Sequence, residues 1–167
     1  MKLYHLDYRI DKKKYRKVFF DNYKHGRWHD SLPDEIYPEP RLCWWKLYCE
    51  SGSWRKELVK EVEYDLNIIG LNNFPRFSYY TPHARLRLHL DEDNMCIILL
   101  NLNLDYKPKI LLENADIEYE SLFMHAGSIL HGLNPIPEPR LILKFAIRHP
   151  WDEVYERLDK FSLINYK

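Results

Sequence analysis

Hydrophobic and polar residues alternate with a period of two through most of the chain after residue 74. This alternation is typical of strands that bury one face. It predicts seven strands, at residues 76–80, 83–90, 95–103, 109–113, 117–123, 128–133 and 140–148. Because the strands are short and separated by Pro and Asn turns, they predict a mainly β (α+β) fold, a double-stranded β-helix or jelly-roll barrel.

The remaining segments predict the elements that flank this barrel. Apolar residues at helical spacing predict a helix from Ser53 through Leu66 and another over 151–161, and residues 11–25 predict a basic helix or ordered loop. Strands are predicted over 2–10 and 41–49, with a Pro-rich loop at 30–40. We therefore expect a single domain over 1–167: supporting strands and helices at 1–73, a jelly-roll core at 74–150 and a C-terminal helix at 151–167.

Charge and composition narrow the possible partners. Lys plus Arg and Asp plus Glu both total 25, so nothing in the net charge implies nucleic acid or an anionic membrane as a partner. The basic run at 12–17 predicts a solvated helix face, with a nucleic-acid patch as the alternative. No segment approaches the roughly 20 apolar residues of a membrane span, and the N-terminus has no apolar signal region. Three cysteines without CxxC spacing favour reduced thiols, so we expect a soluble, cytoplasmic protein.

The segment LRLHLD, residues 86–91, carries the first chemical signal. On a strand, His89 and Asp91 share one face and the three leucines share the other. An imidazole and a carboxylate, joined by a second imidazole, form the 2-His-1-carboxylate face that holds Fe(II) and leaves positions open. A second His-x-Asp triplet, His5 to Asp7, is interpreted as a solvated terminal strand or turn, because no partner histidine lies at a suitable separation.

A second histidine and an arginine complete this pattern. His131 ends a short apolar run, and Arg140 follows nine residues later after a Pro-rich turn, which predicts that they lie side by side on neighbouring antiparallel strands. Arginine binds a carboxylate through two parallel hydrogen bonds and keeps its charge when desolvated, so it suits the distal carboxylate of a 2-oxoacid. Without that anion, we expect Arg140 to be poorly ordered or to pair with a surrogate carboxylate. His125 is the alternative to His131 as a ligand.

The order His-x-Asp, His and then Arg resembles the Fe(II)/2-oxoglutarate-dependent oxygenases, which share the cupin-like jelly roll. The segment RFSYYTPHARLRLHLDEDN further resembles the metal-binding region of the aspartyl/asparaginyl β-hydroxylase family, as do KILLEN, GSILHGLNP, RLILKF and the closing RHPWDE. The resemblance covers residues 76–153. It departs at Asp91, where vertebrate-type members have Gly. The His-x-Asp form is more similar to the proline hydroxylases.

This resemblance implies a set of site residues and cofactors. His89, Asp91 and His131 are implied as ligands of Fe(II), Arg140 as the partner of the distal carboxylate of 2-oxoglutarate, and Ser78 as a further contact of that cosubstrate. Oxygen is the second cosubstrate. The implied substrate is an amino acid or a peptidyl Asp, Asn or Pro side chain, which would be hydroxylated.

Other polar residues are candidates from their position alone. A phenol at Tyr79 or Tyr80 would reach 2-oxoglutarate, although one of the two must point outward. Arg87 shares strand parity with His89, and Lys144 shares it with Arg140, so both are candidates for substrate binding. Two other functions stay open: a metal-binding jelly-roll module without turnover, and a hydroxylase of nucleobases.

Overall fold

The computed structural model describes residues 2–25, 27–30, 43–48 and 54–166. Within these ranges the strands, in chain order, are β1 Leu3–Leu6, β2 Arg27–Asp30, β3 Cys43–Tyr48, β4 Asn73–Tyr80, β5 Leu86–His89, β6 Met95–Asn101, β7 Lys109–Leu112, β8 Asp116–Glu118, β9 Ser121–His125, β10 His131–Leu133, β11 Arg140–Arg148 and β12 Ile164–Asn165. The α-helices are α1 Lys12–Asp21, α2 Trp54–Glu57, α3 Lys60–Asp65 and α4 Trp151–Lys160. The predicted Pro-rich loop lies, apart from residue 30, outside the described residues.

The strands form two antiparallel sheets. The larger has the order β12-β1-β9-β6-β11-β4-β3-β2, and the smaller has the order β5-β10-β7-β8. Every described strand pair is antiparallel. The predicted fold, a β jelly roll with flanking helices, is therefore confirmed.

Strand β11 shows how the sequence places two apolar cores on the two faces of the larger sheet. Leu143 and Phe145 belong to an outer core between this sheet and the helices, whereas Ile142 and Ala146 belong to an inner core that faces the smaller sheet. Because neighbouring strand residues point to opposite faces, a continuous apolar run is required where both faces are buried. The inner face of β11 also carries Arg140 and Lys144, which have the same parity as Ile142.

Helix α4 closes the outer core against the larger sheet. Trp151, Val154 and Leu158, at the three- and four-residue spacing of one helical face, are buried. The ring of Trp151 stacks on that of Phe123 at a centroid distance of 4.3 Å. No helix in the described ranges has the length and apolar character required to cross a membrane.

Several elements differ from the sequence-based prediction. The predicted strand 117–123 is two strands, β8 and β9, which belong to different sheets. The predicted helix after Ser53 is split into α2 and α3, and β2 was not predicted. The division at Glu118–Ser121 matters for the site, because the chain passes there from one sheet to the other and carries Tyr119 into the inner core.

Candidate metal centre

Three side chains converge between the two sheets. His89 ends β5, His131 begins β10, and these two residues are direct partners across the strand pair. Asp91 follows β5 by two residues, and its backbone N–H donates to the carbonyl of Ala126 at 3.1 Å. One ligand atom from each of the three residues lies within 4.8 Å of the others. This geometry can hold one metal ion between them.

Backbone hydrogen bonds fix the orientation of both imidazoles. Nδ1 of His89 lies 2.9 Å from the carbonyl oxygen of Arg87, and Nδ1 of His131 lies 2.9 Å from that of Ile129. A carbonyl oxygen only accepts, so in each ring Nδ1 carries the proton and donates it. The Nε2 lone pair of each ring is then free to bind a metal, as in the histidine ligands of known metal sites.

The ligand atoms of His89, Asp91 and His131 are all acceptors. Nε2 of His89 lies 3.5 Å from Oδ1 of Asp91, and Nε2 of His131 lies 3.7 Å from Oδ2. Burial lowers the pKa of His131 to about 4, so this ring is neutral at pH 7. Burial raises the pKa of the Asp91 carboxyl, but neighbouring groups, the Lys144 ammonium among them, outweigh that effect and hold the pKa well below its usual range. Two lone pairs that face a carboxylate favour a bound cation.

A local irregularity in β5 brings the ligands together. His131 pairs with His89 and Leu133 with Leu86, so β10 advances two residues where β5 advances three. This extra residue breaks the alternation predicted for LRLHLD, and Leu86 lines the same cavity as His89. The parity argument for Arg87 therefore fails: its side chain is exposed, and its carbonyl is what contacts His89.

Glycine next to His131 permits this close strand approach. A Cβ atom at Gly132 would lie 2.5 Å from the carbonyl oxygen of Leu86 and 3.0 Å from that of Arg87. Real Cβ atoms do not approach backbone oxygen so closely, so any larger residue at this position would displace β5 and the ligands it carries.

The other candidate histidines lie outside this group. Nδ1 of His125 lies 2.5 Å from the hydroxyl oxygen of Ser128, and its ring packs edge-on against Trp151. His5 lies on β1 in the larger sheet. Within the described ranges, His89, Asp91 and His131 form the group of histidine, cysteine and acidic residues that could hold a metal.

A cavity in the inner core adjoins the three ligands. Its lining includes His89, His131 and Lys144 together with the hydroxyl-bearing residues Ser78, Tyr80 and Tyr119. The cavity has a volume of about 40 Å³, room for roughly three water molecules. A five-carbon dicarboxylate such as 2-oxoglutarate therefore requires the lining side chains to move.

Three buried donors near this cavity lack partners. Ser78 Oγ, Tyr119 Oη and Arg140 Nε have no hydrogen-bond acceptor among the described residues, although each residue is at most 3% exposed. Burial raises the pKa of Tyr119, so its hydroxyl keeps its proton and can donate. Unpartnered buried donors are costly, and the Tyr119 hydroxyl and the Arg140 guanidinium lie close enough to interact, a pairing that suits a carboxylate. These residues fit the distal carboxylate of a 2-oxoacid.

Arg140 lies across the sandwich from His131. It belongs to the larger sheet and His131 to the smaller, so the prediction that they lie side by side on neighbouring strands is wrong. Its guanidinium donates to the backbone carbonyls of Ala84, at 3.2 Å, and Asn134. No described carboxylate lies within 4 Å of the guanidinium. Backbone carbonyls therefore take the place of the surrogate carboxylate that was expected to pair with Arg140.

Tyr79 and Tyr80 separate as strand alternation requires. Tyr79 packs in the outer core against Phe19, with ring centroids 5.8 Å apart, so it faces away from the metal centre. Tyr80 lines the inner cavity. The assignment of Tyr79 as a cosubstrate contact is therefore not supported, and Tyr80 is the phenol on the correct face.

Lys144 reaches the metal centre from the larger sheet. Its Nζ lies 3.5 Å from Oδ2 of Asp91, and burial lowers its pKa to about 8. Arg76 is its direct partner on β4. Sequence reasoning missed Arg76, which shares strand parity with Ser78, and missed Tyr119, whose parity was obscured by the break between β8 and β9.

The chain was compared with known proteins. No family model matches it, and no curated protein does. The resemblance to the aspartyl/asparaginyl β-hydroxylase family therefore stays a prediction.

Solved structures do match. A prolyl hydroxylase from Trichoplax adhaerens, in complex with a hypoxia inducible factor peptide fragment, has a TM-score of 0.61 and 11% identity over 89% of this chain and 80% of that one. A viral collagen prolyl hydroxylase from Paramecium Bursaria Chlorella virus-1, in a 2OG complex, has a TM-score of 0.56 and 13% identity over 83% and 91%. A Pseudomonas putida prolyl-4-hydroxylase has a TM-score of 0.54 and 16% identity over 83% and 85%. At these identities, the comparisons show a shared fold.

Proposed function

We propose that this protein is an Fe(II)- and 2-oxoglutarate-dependent dioxygenase that hydroxylates an amino acid or a peptidyl Asp, Asn or Pro side chain. The observation that carries the proposal is the convergence of three acceptor groups, His89, Asp91 and His131, within 4.8 Å. Two nitrogens and one carboxylate oxygen on one side of an ion leave its remaining positions open, as in non-haem iron oxygenases. The fold shared with prolyl hydroxylases supports the same class.

Each residue of the site has a defined task in this proposal. His89, Asp91 and His131 hold Fe(II), and Arg140, Ser78 and Tyr119 hold the distal carboxylate of 2-oxoglutarate. Bound iron, with 2-oxoglutarate and oxygen, supplies the oxidising chemistry that converts a C–H bond to C–OH and releases succinate and carbon dioxide. The carbonyls of Arg87 and Ile129 keep both imidazoles in the tautomer that binds metal. The apolar inner core around them excludes water.

A second candidate is a metal-binding module without turnover. The observation that favours it is the cavity volume of about 40 Å³, which is too small for 2-oxoglutarate without side-chain movement. The same three ligands also suit zinc, which has no redox chemistry. Succinate formation distinguishes the two candidates.

Nucleobase hydroxylation receives no support from the basic run at its N-terminal helix. Lys12 lies 2.6 Å from Glu120, Lys17 lies 2.5 Å from Asp21, and Lys14 pairs with Glu61. These charges are neutralised within the chain, so little of the run is available for phosphates. A salt-dependent affinity for DNA or RNA would reverse this conclusion.

The proposal is tested by anaerobic loading with Fe(II), followed by addition of oxygen and 2-oxoglutarate. Succinate formation should require iron and should increase with a suitable amino acid or peptide. His131→Ala should abolish it. No succinate from the iron-loaded protein with any amino acid or peptide, together with tight zinc binding, would favour the module instead.

A further inference from the structure

Two cations lie directly opposite each other beside the metal centre. Lys144 on β11 pairs with Arg76 on β4. Ile142, two residues before Lys144, and Ser78, two residues after Arg76, both line the inner cavity. Residues two apart on a strand share a face, so both cations lie on the face of the sheet that borders the cavity. Like charges at directly opposed positions destabilise a sheet. The pair is therefore a feature that an anion would stabilise.

The described anions do not neutralise this pair. Lys144 contacts the carboxylate of Asp91, with Nζ 3.5 Å from Oδ2. Arg76 forms no ion pair within 4 Å in the described ranges, and its Nε is buried without a hydrogen-bond partner. Asp91 is a metal ligand in the proposed function, so its charge is shared with the ion.

A count of the charges with metal and 2-oxoglutarate bound shows that the site lacks an anion. A metal dication is balanced by Asp91 and by the metal-binding carboxylate of 2-oxoglutarate, and Arg140 balances the distal carboxylate. Lys144 and the half-buried Arg76 then remain as two surplus positive charges on the inner face of the larger sheet. Buried charges without partners are strongly unfavourable. A further anion is required, and the remaining component of the reaction is the substrate.

We propose that Arg76 and Lys144 bind a carboxylate of the substrate, which is therefore a carboxylic acid. This inference rests on the proposed function and narrows its substrate class. The carboxylate belongs either to a free amino acid or to an acidic side chain of a peptide, and peptidyl Asn and Pro are disfavoured. A guanidinium binds both oxygens of a carboxylate, and the ammonium adds a point charge from the neighbouring strand.

The test uses the zinc-loaded protein with bound 2-oxoglutarate, because zinc holds the site without turnover. Binding is measured by calorimetry for L-proline, L-aspartate and L-asparagine, for their α-carboxamides, and for an N-acetyl-aspartyl amide. At least one carboxylate probe should bind about 10-fold tighter, or more, than its counterpart without a carboxylate. The counterpart of L-aspartate is L-asparagine α-carboxamide, and that of the aspartyl amide is N-acetyl-asparaginyl amide. Tight binding of free amino acids indicates the α-carboxylate, and tight binding of the aspartyl amide indicates an acidic side chain.

Charge-removing variants identify the residues that bind. Arg76→Gln and Lys144→Gln should each weaken the tight probe about 10-fold or more, with a smaller effect on 2-oxoglutarate affinity. Lys144→Arg should retain probe binding, which separates loss of charge from misfolding. Lys13→Gln, an exposed lysine on α1, removes the same net charge and should have no effect.

Four outcomes would overturn the proposal: no carboxylate probe binds, the counterparts without a carboxylate bind equally well, the two glutamine variants bind like wild type, or the variants weaken 2-oxoglutarate binding more than probe binding. The last outcome would assign the pair to the cosubstrate. Failure of the proposed function gives a different result, since zinc or 2-oxoglutarate would then not bind the wild-type protein.

Discussion

Tyr119→Phe removes one buried hydroxyl and keeps the aromatic ring. Tyr119 is 1% exposed, and its hydroxyl has no partner among the described residues. Leaving a buried donor without a partner costs about 1–3 kcal/mol. In the absence of cosubstrate, the phenylalanine variant should therefore be as stable as the wild type or more stable, by up to this amount.

The same substitution should weaken 2-oxoglutarate binding. In the proposed function the hydroxyl donates to a carboxylate, and such charge-assisted hydrogen bonds contribute about 1.5–3 kcal/mol. The dissociation constant should rise about 10-fold to 100-fold. Stability and affinity thus change in opposite directions. A hydroxyl with only a packing role would not produce this combination.

The assay pairs urea unfolding of the metal-free protein with calorimetric titration of 2-oxoglutarate into the zinc-loaded protein. Tyr8→Phe is the matched control, because the Tyr8 hydroxyl donates to Asp65 Oδ2 at 3.2 Å and Tyr8 packs against the outer core. This control should lose up to about 1 kcal/mol of stability and leave 2-oxoglutarate affinity unchanged. A destabilised Tyr119→Phe variant with wild-type affinity for 2-oxoglutarate would refute the reasoning.

Three further predictions concern the metal centre. His131→Ala should abolish stoichiometric Fe(II) binding in anaerobic dialysis, whereas His5→Ala, in the other His-x-Asp triplet, should leave it unchanged. Gly132→Ala should reduce the free energy of unfolding by about 1–3 kcal/mol and weaken metal affinity, because the added Cβ collides with the Leu86 carbonyl. Zinc at about 100 times its dissociation constant should stabilise the wild-type protein by about 2.7 kcal/mol, and Asp91→Asn should remove most of that gain in a thermal melt.

Each of these predictions has a contradicting result. Retained iron in His131→Ala, with loss in His125→Ala, would assign the second imidazole to His125. Wild-type metal affinity in Gly132→Ala would show that β5 tolerates the displacement. Equal stabilisation of wild type and Asp91→Asn by zinc would place the bound metal elsewhere.

Much of the fold was predictable because burial leaves a regular apolar pattern in the sequence. A strand buried on both faces is a continuous apolar run, and a helix buried on one face has apolar residues at helical spacing. The predicted bounds of β11, residues 140–148, agree with the structure, and those of α4 differ by one residue. Apolar residues on both faces of β11 leave no ambiguity about its burial. The order His89, Asp91 and His131 also predicted three side chains whose ligand atoms lie within 4.8 Å of one another.

The rest depended on features that periodicity does not encode. Because of the extra residue in β5, Leu86 and His89 face the same cavity although strict alternation would place them on opposite faces. The prediction that Arg87 binds substrate depended on that strict alternation. Alternation also failed at residues 117–123, which were predicted as one strand but form β8 and β9 in different sheets. The face on which a residue of β8 lies does not determine the face of a residue in β9. Tyr119 lies at that change, so only the folded chain shows that its hydroxyl meets the cavity.

The most direct test of the central claim is the anaerobic affinity for 2-oxoglutarate with and without one equivalent of Fe(II). Our account predicts that iron strengthens 2-oxoglutarate binding to the wild-type protein and that His131→Ala loses this effect. Equal 2-oxoglutarate affinity in the presence and absence of iron, with iron shown to be bound, would contradict it.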